Sequence, residues 1–279
     1  MSYKTILVHV DGSRHAEARI ALAVRLAADH GAHLVGAAMT GVSRFIFQGA
    51  NVDVARTVLA GQLDVLVGQA NDALARFEAI AGTVDGLSFE PRLVDDDAGD
   101  GLALQARYAD LVVLSQFDPD DPVARVDPDL PAYVMLNSAG PVLMVPVIKA
   151  PAAAGSHVLV AWDESLQASR AVANALPLLR HAASVTVALF NPDAPGRLAG
   201  ADIALYLARH GVNVVVRRED NEKGSGADVG SALLSLGPDV GADLLVMGGY
   251  GHTRFREVLL GGVTQTVLKT MTIPVLMSH

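Results

Sequence analysis

The chain has 279 residues, 51% of them apolar and 18% charged, with a net charge of −9 and no cysteine. That length suits one large or two ordinary domains, and the missing cysteines exclude disulfides and thiolate metal sites. Residues 1–151 hold 11 Lys/Arg against 19 Asp/Glu and the remainder 10 against 11, so the acidity sits in the first half and argues against a nucleic-acid partner.

The chain enters a strand-like run at Thr5–Val10 with no secretory-leader pattern, and no apolar run reaches membrane-spanning length. A cytoplasmic protein with no membrane partner is the expectation. Asp11 and Ser13 follow the first strand and lead into an Ala-rich helix. Val52, Ala55, Leu59, Leu63, Leu66, Ala70, Leu74 and Phe77 recur mostly at helical spacing and predict a helix over 52–81. Strand patterns return at 109–114 and 141–144. After a short linker at 149–155, strands are expected at Val158–Trp162, Val185–Phe190, Val212–Arg217, Leu244–Met247 and Ile273–Met277. Helices fill the gaps at Leu166–Arg180, Gly196–His210, Ala227–Leu236 and Val263–Thr270.

The second half repeats the first. Thr5-Ile-Leu-Val-His-Val-Asp-Gly-Ser13 matches His157-Val-Leu-Val-Ala-Trp-Asp-Glu-Ser165, 152 positions on. Ala109-Asp-Leu-Val-Val-Leu114 matches Ala242-Asp-Leu-Leu-Val-Met247, and Pro141-Val-Leu-Met144 matches Pro274-Val-Leu-Met277, both 133 positions on. Three matches in one order make a duplication, with domains expected at 1–150 and 155–279. Each copy reads as alternating strands and helices, which implies an α/β fold of two tandem doubly wound modules. Each is expected to hold a five-stranded parallel sheet in order 3-2-1-4-5, with ligands beyond the C-terminal strand ends where the order reverses.

After the strand Leu244–Met247 comes Gly248-Gly-Tyr-Gly251, then Gly261-Gly262-Val-Thr264 at the start of a helix. Glycines let a ligand approach the backbone, and free N–H groups at a helix start favour phosphate. The bland alternative is that they are turn and capping glycines serving only the fold. The pattern G-x2-G-x9-G, the strand–Asp–x–Ser start, the Ala-Asp-Leu-Leu-Val-Met-Gly-Gly strand and the closing Ile-Pro-Val-Leu-Met strand together resemble the universal stress protein family over essentially the whole chain, as two fused copies. The resemblance implies ATP as the ligand, with Mg2+ as an accompanying ion. It places Gly248, Gly251 and Gly261 at the phosphate-holding glycines, with Val263 and Thr264 following. Gly262 stands where the family usually has Ser or Thr. Asp163 falls near the ribose or a phosphate-bound metal, preceded by Ala161 and Trp162, with Met247 before the loop and Phe190 where the second strand meets adenine. The resemblance also implies stress adaptation, pairing of the two copies through their last strands, and a homodimer.

The first copy aligns with this loop without a gap. Ser115, Asp118, Pro128 and Asp129 replace Gly248, Gly251, Gly261 and Gly262. Asp118, Asp120, Asp121, Asp127 and Asp129 are expected to form a solvated acidic loop. One charge about 4 Å from another costs about 4 kcal/mol at a dielectric of about 20; a helix-start contact returns only about 0.3–1 kcal/mol. Repulsion should therefore keep ATP from the first copy unless a divalent cation intervenes.

Other signals are weaker. Gly224-Ser-Gly226-Ala-Asp-Val-Gly230 is G-x-G-x3-G after a third strand, the wrong spacing and place for a dinucleotide fingerprint. The histidines, among them His9, His15, His30 and His33, show no standard metal spacing. His252, Arg254 and Arg256 are candidate phosphate contacts or a solvated loop start. Phe45–Phe47 and Trp162 are candidate core or interface positions. Asp163 either caps the next helix or meets ribose, and Asp11 shares that ambiguity. No dedicated general base is evident, so an ATP-binding module is expected; a slow ATP hydrolase and a scaffold without nucleotide are the alternatives.

Overall fold

The structure is a computed structural model that describes residues 2–42, 52–121, 127–148, 151, 153–190, 200–219, 226–250 and 262–279; residues 52–62 and 226–227 are described in their backbone only. The described chain divides into two compact units, Ser2–Gly140 and Pro141–His279.

In the first unit the elements are β1 (Thr5–His9), α1 (Ala16–His30), β2 (His33–Met39), α2 (Val52–Ala81), β3 (Phe89–Val94), α3 (Ala98–Gln105), β4 (Leu111–Ser115) and α4 (Leu130–Asn137). The strand order is β3-β2-β1-β4 and every pairing is parallel. Ile6, Leu7 and Val8 of β1 sit between Leu34–Gly36 and Leu111–Val113. All of these apolar side chains are buried, as a central strand covered on both faces requires. Helix α1 stops at Gly31, whose φ of 58° lets the chain turn in a left-handed cap with Ala32 N donating to Ala27 O. The periodic apolar run at 52–81 is the helix α2. Its fully buried Phe77 lies over Gly36, where any Cβ would stand 2.6 Å from the ring. A glycine inside a strand thus marks the close seating of α2.

The second unit contains β5 (Val142–Val145), β6 (His157–Ala161), α5 (Leu166–Leu179), β7 (Ser184–Phe190), α6 (Ala201–Arg209), β8 (Val214–Glu219), α7 (Gly226–Asp239), β9 (Leu244–Gly248), α8 (Val263–Thr270) and β10 (Val275–Ser278). Strands β8-β7-β6-β9-β10 are parallel and follow the expected 3-2-1-4-5 order. Beyond β10 lies β5, paired antiparallel with Leu143 opposite Leu276. So the strand that closes the first copy in sequence groups with the second unit.

Boundaries differ from the sequence pattern for identifiable reasons. Strand β8 starts at Val214 rather than Val212, because Val212 N donates to Leu207 O and closes α6. Strand β10 starts after Pro274, which has no N–H for a ladder and offers its carbonyl to Leu245 N. Helix α6 begins after Gly200 in a left-handed conformation, φ 84°.

The repeated Ala-Asp-Leu motif has one mechanical role in both units. Asp110 accepts from Lys4 N and Thr5 N at 2.7 and 3.0 Å. Asp243 accepts from Gly155 N, Ser156 N and His157 N at 2.9–3.0 Å. The carboxylates satisfy backbone donors at the entries of β1 and β6 respectively. That places both at the edge opposite the ligand-binding ends.

Candidate functional site

In the second unit β6 and β9 are neighbours, and their C-terminal ends form the edge where the strand order reverses. Strand β6 delivers Ala161, half-buried, and the chain continues through Trp162, whose N–H donates to Ala188 O. Asp163 is exposed and its Oδ1 accepts from Ser165 N at 3.0 Å. The α5 cap is Ser165, whose Oγ accepts from Ala168 N at 3.0 Å. Of the two roles open to Asp163 in sequence, helix capping thus belongs to Ser165. Glu164 between them holds φ 62°, an uncommon left-handed conformation for a side-chain-bearing residue. Phe190 is half-buried at the end of β7, beside this edge.

Strand β9 delivers Met247, buried in the core, and then Gly248. A Cβ on Gly248 would lie 2.5 Å from Ala168 N and 2.7 Å from Gln167 C. Gly248 therefore lets the first turn of α5 pack directly on β9. Beyond it, Gly249 N donates to Ser278 O at 2.9 Å, and His279 Nδ1 lies 3.1 Å from Gly249 O. Tyr250 takes φ 51° and its N–H donates to the buried Thr264 Oγ1 at 3.1 Å. The Thr264 hydroxyl ties the loop's entry to its exit, which the sequence reading assigned only to ligand.

Helix α8 opens at Gly262, with φ −66° and ψ 179°, an extended N-cap conformation that carries no side-chain cap. Among the described residues nothing lies within 4 Å of the Cβ position of Gly262. The N–H groups of the first turn have no intrahelical partners, and the dipole of α8 adds positive potential there. Val263 is half-buried beside it. Gly251 and Gly261, with His252, Arg254 and Arg256, lie outside the described residues, as do Phe45–Phe47 and Gly224. Asp163, Gly262, Val263 and Thr264 are thus described at this edge, and Met247 and Gly248, at the end of β9, also take part in packing.

The matching edge of the first unit holds a buried arginine. Arg19 stands 152 positions before Ala171 and is 1% exposed. Its guanidinium donates to His9 O at 2.8 Å, to Ser115 Oγ at 2.7 Å and to Asp11 Oδ1 at 2.8 Å. Asp11 also accepts from Ser13 N and Ser13 Oγ. Burial alone would raise the Asp11 pKa, but the Arg19 charge, His9 and the hydrogen bonds from Ser13 and Arg19 together outweigh it and hold the carboxyl well below the usual range. His9 is 4% exposed, and burial depresses its pKa to about 4. Its Nδ1 stands 3.5 Å from Asp11 Oδ2, and neither ring nitrogen is hydrogen-bonded among the described residues.

The acidic loop of this unit corrects the sequence reading. Asp118 and Asp121 are 8% and 7% exposed, not solvated. Asp118 Oδ2 lies 2.6 Å from His15 Nε2 and accepts from Arg14 Nε at 2.9 Å. Asp121 Oδ2 accepts from Arg14 N at 2.9 Å. The hydrogen bond from His15, followed by those from Asp120 N and Arg14, holds the Asp118 carboxyl down to about 2. Arg14 thus offsets the charge of Asp118, while Asp120, Asp127 and Asp129 are exposed as expected. What remains at this edge is a cavity with room for about 30 Å³. Sequence reasoning missed Arg14 and Arg19; the available signal was an arginine at position 19 on the apolar face otherwise formed by Ala16, Ile20, Ala23 and Ala27.

Open parallel α/β sheets take their ligands at such a topological switch point. Residues 156–279 match the model of the universal stress protein family. A universal stress protein of Methanocaldococcus jannaschii is 41% identical over 44 residues, a match spanning 16% of this chain and 27% of that protein's length. A universal stress protein of Archaeoglobus fulgidus, 14% identical, superposes with a TM-score of 0.73 over 98% of this chain and 95% of its own. A protein of unknown function from Pseudomonas aeruginosa, 19% identical, gives 0.56 over 99% and 92%. These two similarities show the fold over both units. Among the described residues no helix is long and apolar enough to cross a membrane.

Proposed function

We propose that the second unit binds an adenine nucleotide, ATP with Mg2+, and that the chain acts as a nucleotide-responsive stress module rather than as an enzyme. The observation that carries this reading is the start of α8 at the switch-point edge: among the described residues no side chain caps its first turn and none stands over Gly262. Such a terminus is a ready anion site. Phosphate oxygens would take the α8 N–H groups, and the glycines at 251 and 261 would complete the cradle. Asp163, exposed at the end of β6, is the carboxylate suited to ribose hydroxyls or to the magnesium ion, which neutralises phosphate charge when bound. Ala161, Trp162 and Phe190 line the approach for adenine. The family resemblance supports a cytoplasmic homodimer as the working form.

The test is the nucleotide content of freshly purified, denatured protein, expected at about one adenine nucleotide per chain. Gly262→Asp is the decisive variant. Its φ and ψ suit an aspartate N-cap, so the fold persists and α8 is stabilised. The new carboxylate takes the phosphate's place, and bound nucleotide should vanish. Wild-type retention in this variant refutes the site.

A further inference from the structure

We propose that His15, Asp118 and Asp121 form a binding site for a divalent transition-metal ion of the zinc or manganese type in the first unit. One ligand atom from each of the three lies within 4.8 Å of the others. Bonds of about 2.0–2.2 Å from imidazole nitrogen and carboxylate oxygen put two ligands of one ion up to about 4.4 Å apart, so small side-chain rotations close the set. The residues come from two segments: His15 from the N-cap of α1 and the aspartates from the loop after β4. One imidazole and two carboxylates match zinc or manganese better than calcium, which prefers six or more oxygens.

A second observation points to a ligand here. His9, neutral and 4% exposed, lines the same cavity as His15, Asp118 and Asp121, and its ring makes no hydrogen bond among the described residues. A buried imidazole without such a bond is uncommon. The cavity has room for about 30 Å³, enough for a water molecule. Three protein ligands leave a coordination position for water, and His9 would hydrogen-bond that water, as partners of metal-bound groups commonly do.

The charges fit as well. Asp11, Asp118 and Asp121 face Arg19, which is buried on Asp11, and Arg14, which is bound to Asp118 with its side chain 56% exposed. Arg14 acts as the resident counter-ion and can swing into solvent at little cost. A divalent cation in its place leaves the cluster neutral.

The experiment is equilibrium dialysis of chelator-treated full-length protein against Zn2+ and, separately, Mn2+, with metal counted by elemental analysis. Wild type is expected to hold one ion per chain that the Asp118→Asn/Asp121→Asn variant loses, while its circular dichroism stays unchanged. Arg14→Gln, at an exposed side chain, is expected to bind the ion several-fold more tightly. His9→Gln is expected to weaken it about 10–100-fold, the usual effect of removing an outer-shell partner. Equal binding by wild type and the double variant overturns the proposal, as does Arg14→Gln binding no tighter than wild type. If the carboxylates serve only as anchors for Arg14, that second result is the one obtained.

Discussion

Replacing Gly248 by alanine puts a methyl group 2.5 Å from Ala168 N, 2.7 Å from Gln167 C and 2.8 Å from Gln167 Cβ. Two of these three atoms are backbone, so no side-chain rotation relieves the contact. Ala168 N also donates to Ser165 Oγ, the cap of α5, and retreat of the helix strains that bond. Overpacking of this kind costs about 1–3 kcal/mol, and loss of the cap adds about 1 kcal/mol. A total of about 2–4 kcal/mol is expected. The chain's single tryptophan, Trp162, lies in the second unit, so its fluorescence during urea unfolding reports on that unit. With a slope of about 1–3 kcal/mol per molar urea, the midpoint should fall by at least about 0.7 M. A midpoint shift equivalent to less than about 0.5 kcal/mol, the range of ordinary surface substitutions, would refute the packing argument. The outcome also governs how nucleotide loss in Gly248 variants is read, because a displaced α5 would disturb the site without any lost ligand contact.

Arg19→Met should destabilise the first unit by about 3–5 kcal/mol, because it leaves Asp11 as an uncompensated charge; adding Asp11→Asn should recover part of this in denaturant melts. His9 titrates near 4 when folded against 6.5 when unfolded. Between those values the unfolded state binds the extra proton, so the stability of the first unit should fall as pH drops from 6.5 to 4, by roughly 3 kcal/mol in all. His9→Gln should remove that slope; an unchanged slope contradicts the burial of a neutral imidazole. Asp118, held near 2 against 3.8, contributes stability present above pH 3.8 and lost as pH falls through 2, and Asp118→Asn should flatten urea midpoints across that window. Ser165→Ala should cost about 1 kcal/mol in the transition seen by Trp162, with Asp163→Ala costing less.

The duplication, the strand order of the second unit and the long helix at 52–81 were all legible in sequence, because each rests on local periodicity and on internal matches that chance does not supply. The character of the first copy's loop was not. Five aspartates in one stretch look solvated, and only the fold brings Arg14 and His15, more than a hundred residues earlier, against Asp118. An ungapped comparison shows which residues replace the glycines, but not that Arg19, where the second copy has Ala171, occupies the same edge. Gly248 illustrates the opposite limit: its motif position is correctly read, yet the close approach it permits is that of α5. Loop glycines look alike in sequence whether the approaching surface is protein or ligand. The helix starts show a related divergence. With Ser115 opposite it, α1 begins at Ala16, two matched positions later than α5 at Leu166, which leaves Arg14 and His15 available to turn toward the acidic loop.

The pairing of β5 on β10 bears on how the protein can be divided. A fragment beginning at residue 155, where sequence places the second domain, lacks Val142–Val145 and so bares the hydrogen-bonding edge of Val275–Ser278. An unpaired, wholly apolar-flanked edge of this kind recruits other chains. A fragment beginning at Pro141 keeps the strand that covers β10, so in size-exclusion runs self-association through Val275–Ser278 is expected of the shorter piece alone.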